Sequence, residues 1–123
     1  MKLLWLDDIR DPQDNIWWNW LAKEGVNPLN YEIFWVKDYH QFVDWINENG
    51  LPNVVCFDHD LSDIHCNKST YKEKTGFTCA QFLVDYCIDN KLEIPRYKIQ
   101  SANPVGAQNI SGLLENAIKH LSK

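Results

Sequence analysis

The sequence lacks any long apolar run, which excludes one broad class of protein. No stretch approaches the roughly 20 consecutive apolar residues that a membrane-spanning helix needs. The apolar start of the chain stops at the acidic pair Asp7-Asp8, so it is also far too short for a signal peptide. We therefore expect a soluble, cytoplasmic protein without a membrane partner.

Positive charge is also in short supply. Lys and Arg total 12 against 17 Asp and Glu, which gives a formal net charge of −5. Proteins that hold long DNA or RNA neutralise phosphates through a broad basic surface, so long nucleic acids are not expected partners. The balance still leaves room for a local basic site.

The four cysteines show no C-x-x-C spacing. Cys56, Cys79 and Cys87 lie inside apolar patterns, which predicts reduced thiols in a core. Cys66 lies in a polar segment. Together with His59 and His65 it matches no zinc-ligand spacing, so a zinc site is not expected.

The chain also lacks internal repeats and low-complexity tracts, and what it does contain is a regular alternation of strands and helices. Hydrophobic residues make up 45% and aromatic residues 13%, enough to build the core of one domain over residues 1–123. Apolar runs predict strands at 2–6, 31–36, 54–57 and 97–100. Helical spacing and caps predict helices at 15–23, at 76–90 and over the apolar positions 110–121, with another that Asp38 and Gln41 open as a capping box.

This alternation predicts the fold class. Strands that alternate with helices form a parallel sheet with right-handed crossovers and helices on both faces. We expect a three-layer α/β/α, flavodoxin-like fold with a four-stranded sheet in the order 2-1-3-4. In such sheets ligands bind beyond the carboxyl ends of the strands, between strands 1 and 3.

Acidic and polar residues follow three of the predicted strands. These tips are Asp7-Asp8, Asp58-His59-Asp60 and Ser101-Ala102-Asn103. Each alone is typical of an ordinary turn, but the predicted topology brings all three to one edge. Several carboxylates that meet there repel one another unless some are protonated or a cation joins them, and hard carboxylate oxygens suit Mg²⁺, Mn²⁺ or Ca²⁺.

Anion-binding features accompany the acids. The segment 101–106 leads into a helix, whose free N–H groups suit a phosphate, and Thr75-Gly76 precedes another helix in the same way. Arg10 either clamps a phosphate oxygen or pairs with Asp11 or Asp14. His59 either acts as a general acid or base or packs on the other side of its strand. The predicted phosphate-binding residues are Arg10, Thr75, Gly76, Ser101, Asn103 and Gly106.

Four motifs resemble a known family over nearly the whole chain. They are Leu6-Asp7-Asp8-Ile9-Arg10-Asp11-Pro12, Phe57-Asp58-His59-Asp60-Leu61, Thr75-Gly76 and Ser101-Ala102-Asn103-Pro104-Val105-Gly106. In order and spacing they resemble the cyclic-phosphate-processing receiver domain, a divergent branch of the response-regulator receiver fold. Small phage-encoded members are similar around residues 72–76 and 80–90, which implies a host cytoplasm as the location.

The resemblance implies a role for each matching residue. Asp7 and Asp8 match the metal-binding acid pair of receivers, and Asp58 matches the position that receivers phosphorylate. Asp60 matches a position whose backbone helps to hold the metal, and Ser101 matches the Ser or Thr that ends strand 4. The family is expected to hydrolyse cyclic phosphates on nucleotides or RNA ends.

Two departures from the family pattern affect this expectation. Signalling receivers carry a Lys at the end of a fifth strand, whereas the late lysines here, Lys119 and Lys123, fall on the last predicted helix or its tail. Family members often carry His before the Ser of strand 4, and here that residue is Gln100. Since Gln cannot shuttle a proton near neutral pH, that task falls to His59 or to metal-bound water, or is lost.

The leading hypothesis is a Mg²⁺- or Mn²⁺-dependent phosphoesterase that opens a cyclic phosphate. Asp7, Asp8 and Asp58 would hold the metal, and Asp58, His59 and Asp60 would carry the chemistry, under a loop at 62–75 that closes over the ligand. One alternative is a non-catalytic module that binds a cyclic nucleotide or a host protein, because the three indoles at 17, 18 and 20 cannot all face inward on one helix. Another alternative is a phosphoryl-accepting receiver.

Overall fold

A computed structural model describes residues 1–58, 75–100 and 104–121. Its elements in chain order are β1 (Lys2–Leu6), α1 (Asn15–Lys23), a 3₁₀ turn (Pro28–Asn30), β2 (Glu32–Val36), α2 (Tyr39–Asn49), β3 (Val54–Phe57), α3 (Gly76–Asn90), β4 (Arg96–Ile99) and α4 (Pro104–Leu121). Among the helices of these ranges, none has the length and apolar character needed to cross a membrane.

The four strands form one parallel sheet in the order β2-β1-β3-β4, which confirms the predicted topology. The ladder continues one residue beyond the strands. The amides of Asp7, Asp58 and Gln100 donate to carbonyls of the neighbouring strands, each at 3.0 Å. These three residues therefore lie level with one another at the carboxyl edge of the sheet.

Alternate residues of each strand pack on opposite faces of the sheet. Leu4 and Leu6 of β1 belong to one buried cluster, whereas Leu3 and Trp5 belong to another. The first cluster includes helix residues Phe42 and Ile46 of α2, Leu83 of α3, and Ile110 and Leu114 of α4. We call this side of the sheet the three-helix face, and the opposite side, where Leu21 of α1 packs, the α1 face.

Indole rings dominate the α1 face. Trp5, Trp17 and Trp20 form a triangle with ring centroids 5.8–6.2 Å apart, in tilted and edge-on arrangements typical of aromatic packing. Trp18 is half-buried and belongs to neither cluster. The three indoles of α1 thus do not all face inward, as their spacing predicted.

Local signals set most element boundaries, with small departures from prediction. Thr75 and Thr78 form a reciprocal capping box at the start of α3. At α2 only half of the predicted box forms, because the Gln41 side chain accepts a hydrogen bond from the Lys37 amide (2.8 Å) rather than from that of Asp38. β2 begins one residue later than predicted, and β4 lies one residue earlier.

The described cysteines are reduced and buried, as predicted. Cys56 packs on the α1 face, while Cys79 and Cys87 pack on the three-helix face. Burial raises the pKa of the Cys87 thiol from 9.0 to about 11, and it also raises the pKa of Cys56. Cys66 lies outside the described residues.

Candidate functional site

Three carboxylates meet where β1 and β3 end. Asp7, Asp8 and Asp58 each offer one oxygen, and these oxygens lie within 4.8 Å of one another. Asp7 is fully buried and Asp58 is 4% exposed, whereas Asp8 is half-buried. Buried carboxylates are strongly unfavourable unless they find hydrogen-bond donors or cations, so their surroundings decide what this cluster can do.

The Asp7 side chain is fixed by the turn that follows it. Its Oδ1 accepts the backbone N–H groups of Ile9 (3.0 Å) and Arg10 (2.9 Å). An Asp that binds amides two and three residues further on stabilises a tight turn. The turn thus holds one carboxylate of the cluster in place, and it also returns Arg10 toward the acids.

The Arg10 guanidinium lies between two of the acids. Its Nη1 is 3.3 Å from Asp7 Oδ2 and 3.5 Å from Asp58 Oδ1. The same nitrogen donates to the backbone oxygen of Gln100 at 3.2 Å. Arg10 thus joins the ends of β1, β3 and β4 and supplies positive charge to the buried carboxylates.

The two ion pairs considered for Arg10 from the sequence, with Asp11 and Asp14, are therefore replaced by pairs with Asp7 and Asp58. Asp11 accepts the backbone N–H of Gln13, and Asp14 caps α1. Both acids are typical turn and cap residues. The pairing alternative was therefore wrong about the acidic partners of Arg10, whereas the alternative that Arg10 clamps a phosphate oxygen stays a prediction.

Indole groups of the α1 face contact the turn that follows Asp7. Trp5 Nε1 donates to the backbone oxygen of Arg10 (2.8 Å), and Trp35 Nε1 donates to that of Asp7 (2.7 Å). The Trp17 ring centroid lies 5.2 Å from Arg10 Cζ, within the range of a cation–π contact. Sequence reasoning missed all three roles. The pairing of Trp5 with Trp35 across β1 and β2 was the available signal, but it requires the strand register.

Gln100 lies beside the acids and is only 5% exposed. Its Nε2 donates to the Leu6 carbonyl at 3.0 Å. Its Oε1 is buried and has no hydrogen-bond partner among the described residues. Most buried polar atoms are hydrogen-bonded. A hydrogen-bond donor supplied by a bound ligand or by a residue outside the described ranges would therefore be stabilised beside Gln100 Oε1.

The remaining predicted phosphate-binding residues that are described lie at helix starts. Thr75 is the N-cap of α3 and accepts the Thr78 amide, Gly76 is the first residue of α3, and Gly106 lies in the first turn of α4. In a parallel α/β fold such helix starts lie at the carboxyl edge of the sheet. His59, Asp60, Ser101 and Asn103 lie outside the described residues, as do residues 62–74 of the predicted closing loop.

The donor set suits a hard divalent cation. When Asp7, Asp8, Asp58 and Arg10 are all ionised, the cluster carries a net charge of −3 + 1 = −2. Carboxylate oxygens are the ligands that Mg²⁺ and Mn²⁺ prefer in proteins. The partial exposure of Asp8 leaves a side from which an ion with several waters can approach.

Comparison with known proteins gives a family. A sequence model for the cyclic-phosphate processing receiver domain matches residues 2–116. This range starts at β1 and reaches into the last turns of α4, so it contains the whole acidic cluster with Arg10 and Gln100. No curated protein matches the chain.

Proposed function

The chain belongs to the cyclic-phosphate processing receiver domain family, and from that premise we propose that it is a metal-dependent phosphoesterase. Its substrate would be a cyclic phosphate carried by a nucleotide or by an RNA end. The observation that supports this most directly is the convergence of three carboxylate oxygens within 4.8 Å beside one guanidinium.

Asp7, Asp8 and Asp58 would hold one Mg²⁺ or Mn²⁺ ion. When bound, such an ion polarises a phosphoryl group and lowers the pKa of water. The protein's own contribution is to fix the carboxylates. Two backbone amides orient Asp7, and the amide of Asp58 is held by the Leu6 carbonyl.

The substrate phosphate would lie between Arg10 and the starts of two helices. Arg10 offers a charged planar donor for phosphate oxygens. The starts of α3, at Thr75 and Gly76, and of α4, near Gly106, offer the positive end of a helix dipole. Ser101 and Asn103 would add short polar side chains from the end of β4.

Hydrolysis adds water to phosphorus, breaks one of the two ring P–O bonds and leaves a proton to be delivered to the departing oxygen. His59 or Asp60 would move these protons, since they are the next two residues after Asp58 in the chain. Gln100 would take no part in this transfer, because an amide does not titrate near neutral pH.

Purified protein with Mg²⁺ or Mn²⁺ should open 2′,3′-cyclic nucleotides or RNA with a cyclic phosphate end, with products followed by phosphorus NMR. A chelator should abolish turnover, and Asp58→Asn should lower it by at least roughly a hundredfold. Asp44→Asn makes the same charge change at an exposed position of α2 and should leave turnover unchanged. Absence of turnover across the panel, with metal supplied, would refute the catalytic proposal.

The presence of Gln at position 100 supports a second candidate function, that of a module that binds a cyclic nucleotide or a host protein without changing it. The residue occupies the position of the family's usual His and is locked to the Leu6 carbonyl. Calorimetry with a cyclic nucleotide, followed by recovery of the ligand, separates the two candidates. Tight binding with an intact ligand supports the module, while phosphorylation of Asp58 by acetyl phosphate would instead indicate a phosphoryl-accepting receiver.

A further inference from the structure

We propose that Arg10 is a displaceable internal cation. It occupies the space between Asp7 and Asp58 when no divalent ion is bound, and it leaves them for an anionic ligand when the ion binds. The inference rests on the metal site of the proposed function. It adds a regulatory step to that site, in which one side chain couples binding of the cation to binding of the phosphate.

The contacts of Arg10 with the acids are those of a loosely held group. The same atom, Nη1, approaches Asp7 at 3.3 Å and Asp58 at 3.5 Å. Strong pairs between Arg and a carboxylate are usually bidentate, with distances of about 2.7–2.9 Å. A single nitrogen shared at longer range neutralises charge without locking the geometry. Release of the guanidinium gives up these two contacts, the 3.2 Å hydrogen bond to the Gln100 carbonyl and the contact with Trp17, and binding of the divalent ion must offset that loss.

The backbone around Arg10 is fixed while its side chain has room to move. The Arg10 amide donates to Asp7 Oδ1 at 2.9 Å, and its carbonyl accepts from Trp5 Nε1 at 2.8 Å. The side chain is nevertheless 27% exposed. Movement of the guanidinium therefore requires new side-chain rotamers only, and the turn that carries Asp7 and Asp8 stays in place.

Charge repulsion makes the exchange necessary. A divalent cation bound by Asp7 and Asp58 would lie within a few ångströms of Nη1, and like charges at that distance repel strongly in a partly buried site. A phosphate on the open side would attract the released guanidinium. Because linkage is reciprocal, the cation then strengthens phosphate binding, and phosphate strengthens cation binding by the same factor.

Calorimetry with Mg²⁺ alone tests the competition. Arg10→Gln removes the competing charge and should bind Mg²⁺ roughly tenfold more tightly than the wild type, a usual size for a coupling between sites. Lys37→Gln is the matched control. Lys37 follows β2 at the same edge of the sheet, and its Nζ lies 4.5 Å from the centroid of the Trp35 ring. The substitution therefore removes a positive charge that also stacks on an indole but that takes no part in the observed ion pairs. Its Mg²⁺ affinity should stay within about twofold of the wild type.

Inorganic phosphate tests the coupling. Saturating phosphate should tighten Mg²⁺ binding to the wild type by several-fold and should have little effect on Arg10→Gln. Arg10→Lys retains the charge and should restore the weaker Mg²⁺ binding of the wild type. If Arg10→Gln does not fold by circular dichroism, the wild type still provides a test. Saturating Mg²⁺ should change its Trp emission as the guanidinium leaves Trp17, and Trp17→Phe should lose that change.

The outcomes separate this inference from the proposed function. Equal or weaker Mg²⁺ binding by Arg10→Gln, or unchanged Trp emission of the wild type at saturating Mg²⁺, overturns the displacement of Arg10 and leaves the metal site intact. Absence of Mg²⁺ binding by both proteins overturns the inference and the metal-dependent proposal together. Tighter binding by Arg10→Gln supports the inference even if no cyclic phosphate is opened.

Discussion

The two faces of the sheet perform different tasks with different side chains. On the three-helix face, helix residues such as Phe42, Leu83 and Leu114 are fully buried in one cluster with residues of the sheet. On the α1 face, the indoles of Trp5 and Trp35 donate hydrogen bonds to the backbone of the site turn. The three-helix face carries the larger buried cluster, so we expect it to contribute more of the stability, whereas the α1 face restrains the turn that holds Asp7 and Asp8.

The alternation of side chains along a strand allows one strand to serve both faces of the sheet. Leu4 and Leu6 point to the three-helix face, and Trp5, between them, points to the α1 face. One five-residue strand therefore anchors the main core and also places an indole beneath Arg10. Substitutions on the two faces should therefore differ in how strongly they change the free energy of unfolding and the Mg²⁺ affinity.

The largest expected effect is on the stability of the three-helix face. Phe42→Ala removes a fully buried ring and should lower the free energy of unfolding by about 4 kcal/mol, since it deletes apolar contacts and leaves a cavity. Mg²⁺ affinity of the fraction that stays folded should change by less than about twofold. Urea unfolding and calorimetry measure the two quantities. A loss of Mg²⁺ affinity with preserved stability would contradict the division between the faces.

A smaller effect on stability, with a larger one on the site, is expected on the α1 face. Trp35→Phe keeps a ring but removes the donor to the Asp7 carbonyl, so the free energy of unfolding should fall by about 1 kcal/mol. Mg²⁺ should bind several-fold more weakly, because the turn that carries two of the proposed ligands, Asp7 and Asp8, is less restrained. Trp18→Phe, on an indole outside both core clusters, is the control. An unchanged Mg²⁺ affinity would show that the indole only fills space.

The smallest effect, absent at neutral pH, is expected from Cys87 of the three-helix face. Burial raises the pKa of its thiol from 9.0 to about 11. Below pH 9 the thiol is protonated in the folded and unfolded states, so the full stability is present. Between pH 9 and about 11 only the unfolded state loses the proton, and stability falls. Urea unfolding across this range should show a shallower decline for Cys87→Ala, and parallel curves would argue against the raised pKa.

Much of this fold could be predicted because its signals are local. The bounds of β1 and β3 were predicted correctly from short apolar runs that stop at Asp7 and Asp58. Strand order followed from the strand–helix alternation, and the meeting of three acids followed from that order. The 3₁₀ turn Pro28–Asn30 was missed, since three residues carry too little periodicity to predict a helical turn.

The partners of the site residues could not be predicted in the same way. Whether Arg10 pairs with Asp14 or with Asp58 depends on its rotamer and on the packing of Trp17 beneath it. The indole hydrogen bonds depend on the register of β1 and β2. Such contacts are decided by tertiary structure, which a single sequence does not reveal. The roles of His59, Asp60, Ser101 and Asn103 stay predictions.

The Gln100 side chain offers the same pair of hydrogen-bonding groups as a neutral imidazole, one donor group and one acceptor group. The amide donates one hydrogen bond, to the Leu6 carbonyl, and keeps one acceptor unused, as a neutral His does with its two ring nitrogens. Unlike His, it holds the same charge at every pH that the folded protein survives. The Gln100 side chain itself therefore adds no pH dependence to the binding of a donor at its unused acceptor.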